Sequence, residues 1–247
     1  MSSIYDDEYY LPELNWTHNF PSARDASKEG LVAYGGDLTP NRILKAYREG
    51  IFPWFNEDDP ILWWSPTPRL VLFPQDFKIG KSFRRVLRNR GFEVKFDHNF
   101  ESVINYCSTV PREGQEGTWL TQEMKEAYIE LHHLGFAHSI ETYYEGKLVG
   151  GLYGIAQGKG FFGESMFSLI SDASKVSLYA LSSICVEKSY DFIDCQVETP
   201  HLVKWGAKLI ERDEFLDLLE STLKKDTDSG SWRDWSWQYE EKQGVEG

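Results

Sequence analysis

HSIETYYEGKLVGGLYGIAQGKGFFGESMF, residues 138–167, is the stretch whose reading decides the fold. Its first seven residues and the run Lys147 to Gln157 are rich in β-branched, aromatic and aliphatic side chains, and Glu145-Gly146 between them is a two-residue turn signal. The pair therefore reads as a β-hairpin, and GKGFFGESMF follows as another strand-like run. Gly150-Gly151 lies inside the second strand, where glycine weakens pairing unless something must approach the backbone closely. Helices flank this block. Upstream, Thr121 caps QEMKEAYIELHHL, which stops at Gly135 and repeats Met124, Tyr128 and Leu131 or His132 on one face. Downstream, Ser171 or Asp172 opens ASKVSLYALSSICVEK, FIDCQV is a short apolar strand, and AKLIERDEF closes the region. Helix, hairpin, strand, helix, strand is the order of an α/β layered arrangement.

The N-terminal part has a different texture. Thr39-Pro40 is an N-cap followed by proline at the first helical position, so NRILKAYRE is expected to be a helix ending at Gly50. Prolines at 53, 60, 66, 68 and 74 then exclude long helices and central strands. We expect a small Pro/Trp-rich, loop-rich unit over residues 1–70. An α/β domain follows over 71–247 and ends in an acidic tail. That tail, KKDTDSGSWRDWSWQYEEKQGVEG, carries three Trp among charged and small residues, and it reads as a mobile end that can pack through its rings.

With 247 residues, 41% of them apolar, the chain can build one large or two small cores. No apolar run reaches about eighteen residues, so no membrane span is expected. The acidic start, MSSIYDDEYY, is unlike a secretory signal. Three scattered cysteines without a CxxC pair suit a reduced, cytoplasmic protein with no structural zinc. A net charge of −13 argues against a general nucleic-acid binder. Charge is uneven, however: KIGKSFRRVLRNR holds Lys78, Lys81, Arg84, Arg85, Arg88 and Arg90 with no acid among them. Such a run is either a solvated helix face or a local phosphate site.

Common catalytic signatures are missing. Gly80-Lys81-Ser82 ends like a phosphate-binding loop, but position 75 is Gln where a glycine is required. There is no GxGxxG after a strand and no HExxH, and GESMF lacks the second glycine of a nucleophile elbow. His132, His133 and His138 are expected to be structural. What remains is polar groups embedded in apolar strands. By alternation, Asp194 and Gln196 should share one face of FIDCQV and Cys195 the other. A carboxylate and an amide there are either a structural pair or a proton-handling, orienting pair at a cleft. Cys195 as a nucleophile, with His138 or His201 as base, is the weaker alternative. Glu164 is a second isolated carboxylate, either paired in the core or a ligand for a cation.

Several segments together carry a resemblance: YGGDLTPNRILKAYREGIFPWF, ILWWSPTPRLVLFP, GTWLTQEMKEAYIELHHLGFAHSIE, LVGGLYGIAQGKGFFGESMFS, ASKVSLYAL and FIDCQV. In this order, from about Leu31 to Phe215, the chain resembles the leucyl/phenylalanyl-tRNA–protein transferases. The resemblance implies an acetyltransferase-like (GNAT) C-terminal domain with a central mixed sheet beside a smaller N-terminal one. It implies transfer of Leu or Phe, also Met, from charged tRNA to proteins beginning with Arg or Lys, which marks them for N-degron degradation. It implies no cofactor, because the ester donor is already activated, and a monomer acting in the cytoplasm. By the same resemblance Trp54 and Trp119 contact the terminal adenosine, and Met166, Ile193, Phe161, Leu152 and Leu181 line the pocket for the donor side chain. Gln196 orients the attacking amine, Asp194 polarises Gln196, and Glu164 lies in the same cleft. The basic run becomes the acceptor-stem site. Trp205, in LVKWGA, departs from the smaller residue expected there. Two alternatives stay open: a CoA-dependent acyltransferase on the same fold, which should carry a Q/R-x-x-G-x-G/A turn, and a non-catalytic tRNA-binding module.

Overall fold

The computed structural model describes residues 11–15, 19–110 and 120–240. Its strands and helices run in the order β1 (Glu13–Leu14), β2 (Leu31–Gly35), α1 (Pro40–Arg48), β3 (Phe52–Pro53), β4 (Leu62–Trp64), β5 (Arg69–Leu72), α2 (Lys81–Asn89), β6 (Glu93–Phe96), α3 (Phe100–Thr109), α4 (Gln122–His133), β7 (Ala137–Tyr144), β8 (Lys147–Gln157), β9 (Gly160–Ser168), α5 (Ala173–Glu187), β10 (Phe192–Gln196), α6 (Pro200–Lys204), β11 (Lys208–Ile210) and α7 (Arg212–Thr222). Two mixed sheets result. A small one has the order β1-β2-β4-β3, and a seven-stranded one has the order β11-β5-β10-β9-β8-β7-β6.

The expected hairpin is β7–β8, with Glu145 and Gly146 at positive φ as a tight primed turn requires. The expected helix ends hold at Gly50 and Gly135, both left-handed. Thr121 accepts a bond from the Met124 N–H. Thr39 makes no such cap bond; its own N–H and hydroxyl bond to Asp37 instead. Pro53 sits in β3, at an edge of the small sheet, where a missing N–H costs no ladder bond. The described residues between 11 and 68 carry more regular structure than their prolines suggested, because the strands are short enough to fit between them.

The glycine pair has a packing reason. A Cβ on Gly150 would lie 2.5 Å from the Ala173 Cβ, and one on Gly151 would lie 3.3 Å from Val103 Cγ2. Successive residues of β8 thus admit α5 on one face of the sheet and α3 on the other. One core cluster, with Tyr47, Trp63, Val71, Tyr128, Tyr153, Phe162 and Phe215, joins the small sheet to the α3/α4/α7 face. The second, with Leu70, Leu72, Leu152, Phe161, Leu181 and Ile193, lies under α5. The tail corrects its expectation: up to residue 240 it packs on the α5 face, with Trp232 1% exposed in the second cluster. Its indole stacks on His138 at 3.7 Å and on Trp235 at 4.1 Å and donates its N–H to the Asp228 carbonyl, while the backbone N–H of Trp232 donates to Asp97. Burial of rings outweighs the polar residues between them.

Candidate active site

The site begins where two parallel strands part. β9 and β10 are paired from Phe192/Gly160 to Asp194/Phe162 and no further. Beyond that point Gly163–Met166 and Cys195–Gln196 diverge, and a cleft of about 830 Å³ opens between them. Leu152, Phe161, Met166, Leu181 and Ile193 line it, with Leu178 added from α5. All but Met166 belong to the buried core, so the floor is apolar and rigid. Trp54, 42% exposed, stands on the wall formed by the small sheet. The Trp64 indole N–H bonds its carbonyl, which fixes the position of this uncovered ring. The structure thus brings Trp54, Leu152, Phe161, Glu164, Met166, Leu181, Ile193, Asp194 and Gln196 around one opening. Trp119 lies outside the described residues.

Strict alternation fails at the end of β10. The ladder shifts between Asp194 and Gln196, and Gln196 takes φ +62°, left-handed backbone that costs a non-glycine residue energy. Asp194 and Gln196 therefore part ways. The Asp194 carboxylate is fully buried. It accepts two bonds from the Arg69 guanidinium, Nε to Oδ1 at 2.9 Å and Nη2 to Oδ2 at 2.6 Å. Arg69, 1% exposed, is held between the Phe52 and Phe215 rings and donates to the Gly50 carbonyl. Asp194 reaches Gln196 through that residue's backbone N–H, at 2.9 Å, rather than through its amide. The amide nitrogen of Gln196 instead donates to Glu164 Oε1 at 2.9 Å, across the gap between the strands.

Glu164 is the polar centre of the cleft. Its Oε1 also accepts from the Tyr47 hydroxyl at 2.6 Å and its Oε2 from the Tyr128 hydroxyl at 2.8 Å, while the two hydroxyls lie 2.7 Å apart. With Glu164 ionised both hydroxyls donate to it; with Glu164 protonated one of these contacts reverses, the carboxyl donates to that tyrosine, and the hydroxyl so released donates to its neighbour. Enclosure in protein, chiefly through lost solvation, pushes its carboxyl up to about 7; the tyrosine and Gln196 bonds oppose this, and the Asp194 charge adds to it. Burial, with Glu164 close by, holds both phenols far above their ordinary range, so they stay protonated. Burial likewise pushes the Cys195 thiol up and removes the thiolate that a nucleophile needs. His138 is no base for it, being buried against Asp97 under the Trp232 ring.

The basic run forms α2 and its flanks. Lys78, Lys81, Arg84, Arg85, Arg88 and Arg90 are all exposed, while Phe83 alone of that helix is buried. None of the six lines the cleft. Sequence reasoning missed Arg69, Tyr47 and the hydrogen-bonding end of Tyr128. Arg69 had a signal: a single charge opening the apolar run RLVLF should have been asked for its partner. Tyr47 had none, since a tyrosine on an amphipathic helix is ordinary.

Two family models match the chain. Residues 71–220 match the family model described as leucyl/phenylalanyl-tRNA protein transferase, and residues 36–67 match that of its N-terminal domain. Relatives named leucyl/phenylalanyl-tRNA–protein transferase include one from Syntrophus aciditrophicus, 50% identical over 86% of this chain and 89% of that protein. One from Lawsonia intracellularis is 50% identical over 95% and 99%, and one from Myxococcus xanthus 49% over 93% and 95%. A family model that matches more than half of the chain and near-complete overlap with relatives about 50% identical show that the chain belongs to the leucyl/phenylalanyl-tRNA–protein transferase family.

Proposed function

We propose that the chain transfers leucine or phenylalanine, and also methionine, from charged tRNA to the α-amine of proteins beginning with Arg or Lys. The observation that carries this reading is the cleft between β9 and β10, which holds an apolar pocket, an exposed indole and a carboxyl poised near neutrality in one place. Trp54 stacks on the terminal adenine, worth about 1–3 kcal/mol for such a contact. Leu152, Phe161, Met166, Leu181 and Ile193 receive the donor side chain. A Met wall adapts to unbranched shapes, and a stiff β-branch near the backbone fits badly. Trp119 is assigned to the adenosine by resemblance alone.

The reaction joins the acceptor nitrogen to the ester carbonyl and releases the ribose oxygen, so one proton must pass from the amine to the leaving oxygen. An α-amine with a pKa of about 7.7–8.0 is partly neutral near pH 7, and positioning supplies much of the rest. Gln196, whose amide nitrogen is held by Glu164, turns its amide oxygen to accept an N–H of the attacking amine. Ionised Glu164, backed by Tyr47 and Tyr128, takes the amine proton and returns it to the departing oxygen. Asp194 is a positioning residue: paired with Arg69, it fixes the left-handed turn that points Gln196 across the gap.

The splayed parallel strands support a GNAT-like reading of the large sheet, and the change of sheet between Trp64 and Arg69 supports a domain division near residue 70. Among the described residues no helix is long and apolar enough to cross a membrane. We assign the protein to the cytoplasm, as a monomer that marks its acceptors for N-degron degradation. α2 and its flanks, Lys78 to Arg90, take the acceptor-stem phosphates.

The test mixes labelled Leu-tRNA with a peptide bearing N-terminal Arg. Label should pass to the peptide, and Glu164→Gln should lower kcat by roughly a hundredfold or more. Acetyl-CoA turnover without tRNA, or tRNA binding with no transfer from either Leu-tRNA or Phe-tRNA, would overturn the reading.

A further inference from the structure

One rim of the cleft carries a group that the chemistry above leaves unused. Trp205, at the end of α6, lines the cleft together with Lys175 from the first turn of α5 and His201 from α6. The Trp205 indole is half-buried and rests on Phe77, 6.2 Å away with 20° between the planes. Lys175 Nζ stands 4.1 Å from the centre of the Phe83 ring and 5.2 Å from that of Trp205. The His201 ring lies 6.2 Å from the same indole.

Charge sets the chemistry of this rim. Among the described residues no carboxylate lies within ion-pairing distance of Lys175, which touches rings instead. Burial holds its pKa below the ordinary lysine range; Asp172 opposes that shift and Lys204 adds to it. Lys204 closes α6, and the Lys78 backbone N–H donates to the Trp205 carbonyl at 2.8 Å. Lys175 is thus the lysine whose ammonium is placed against the indole, and Asp172, which also lines the cleft, partly offsets its charge. At this rim an acceptor that begins with Arg or Lys finds a cation on aromatic faces and, among the described residues lining the rim, no carboxylate but Asp172. A phosphodiester carrying a flat base is attracted to the rim, because cations take the phosphate and aromatic faces take the base.

We propose that Trp205, Lys175 and His201 form a seat for the nucleotide immediately before the terminal adenosine of the donor RNA. The base packs against the uncovered part of the indole and the His201 ring, and Lys175 turns from the rings to the phosphate that joins the two nucleotides. This rests on the aminoacyl-tRNA reading above and deepens it, since it adds a second recognised nucleotide. Stacking of this kind tolerates any base, so the seat selects for the presence of a nucleotide more than for its identity.

The experiment compares three donors with one Arg-initiated peptide: Leu-tRNA, the leucyl ester of the dinucleotide cytidylyl-adenosine, and leucyl-adenosine. Trp205→Leu and Lys175→Gln should each raise KM by about tenfold for the first two donors and leave KM for leucyl-adenosine unchanged. Trp205→Phe should recover most of the loss. Lys175→Gln lies outside the packed interior, so it keeps the test valid if Trp205→Leu fails to fold, as a thermal melt will show. Equal rises for all three donors would reduce the rim to ordinary cleft packing, and no rise for any donor would remove it from recognition; either result overturns the seat while transfer itself persists. Failure of the unaltered protein with every donor would instead strike the underlying reading, and the seat with it.

Discussion

Arg69 and Asp194 meet from positions 125 residues apart, both buried, with two parallel hydrogen bonds. Removing one partner leaves the other charge uncompensated, which typically costs about 3–5 kcal/mol. Arg69→Met should therefore lower the urea midpoint substantially, and Asp194→Ala should lose stability together with transfer. Transfer lost at unaltered stability would mean that Asp194 acts on the reacting atoms directly. Glu164 makes the opposite kind of prediction. Its folded pKa, about 7, is raised from 4.5, so the native state holds the proton more tightly than the unfolded chain. That contribution is fully present below pH 4.5 and is lost as the pH climbs to 7, on the order of 2–3 kcal/mol. Unfolding of Glu164→Gln should lack this slope. Activity runs the other way: kcat/KM should rise through pH 7 as Glu164 ionises, and Glu164→Gln should leave only the limb set by the acceptor amine. The sequence marked Asp194, Gln196 and Glu164 as polar groups in apolar strands, yet it could not say which pair would touch. The register shift and the left-handed turn at Gln196 decide that, and both depend on neighbours distant in sequence.

Elements were legible in proportion to how locally they are specified. The β7–β8 turn, the Thr121 cap and the stops at Gly50 and Gly135 lie in a few adjacent residues and read correctly. α3 does not read this way. Its N-cap, Asn99, makes no side-chain cap bond, and its N–H is satisfied by Glu141 from β7, 42 residues away. α2 tests the link from element to function. If its exposed face holds tRNA phosphates, Arg84→Gln, Arg85→Gln and Arg88→Gln together should weaken tRNA binding and flatten the plot of log affinity against log salt by about 2–3 units of slope. An unaltered slope would leave α2 a solvated helix. Gly150 tests the packing of α5 on β8. Its Cβ has no room beside Ala173, so Gly150→Ala should destabilise by about 1–3 kcal/mol, read as a lower Tm.

For the whole molecule, the first core cluster runs from Trp63 of the small sheet through Tyr47 to Phe162 and Phe215, which joins the two sheets across the proposed boundary. Unfolding followed by tryptophan fluorescence and by circular dichroism should give coincident transitions. The tail belongs to the same folded body. Trp232→Ala should cost about 3–5 kcal/mol, as removal of a buried indole does, and a change under about 1 kcal/mol would return the tail to the mobile end that its composition suggested. Composition misled there because charge and small residues were weighed by number, whereas the stacked rings decide where the segment goes.

The claim on which the rest depends is that the gap between β9 and β10 seats an aminoacyl adenosine with its side chain on the apolar floor. The most direct measurement is a crystal structure with a non-hydrolysable leucyl-amide of adenosine. The account predicts adenine on Trp54, the leucyl group among Leu152, Phe161, Met166 and Ile193, and the amide carbonyl carbon facing Gln196 and Glu164. An analogue bound elsewhere, or seated with its leucyl group away from that floor, would contradict it.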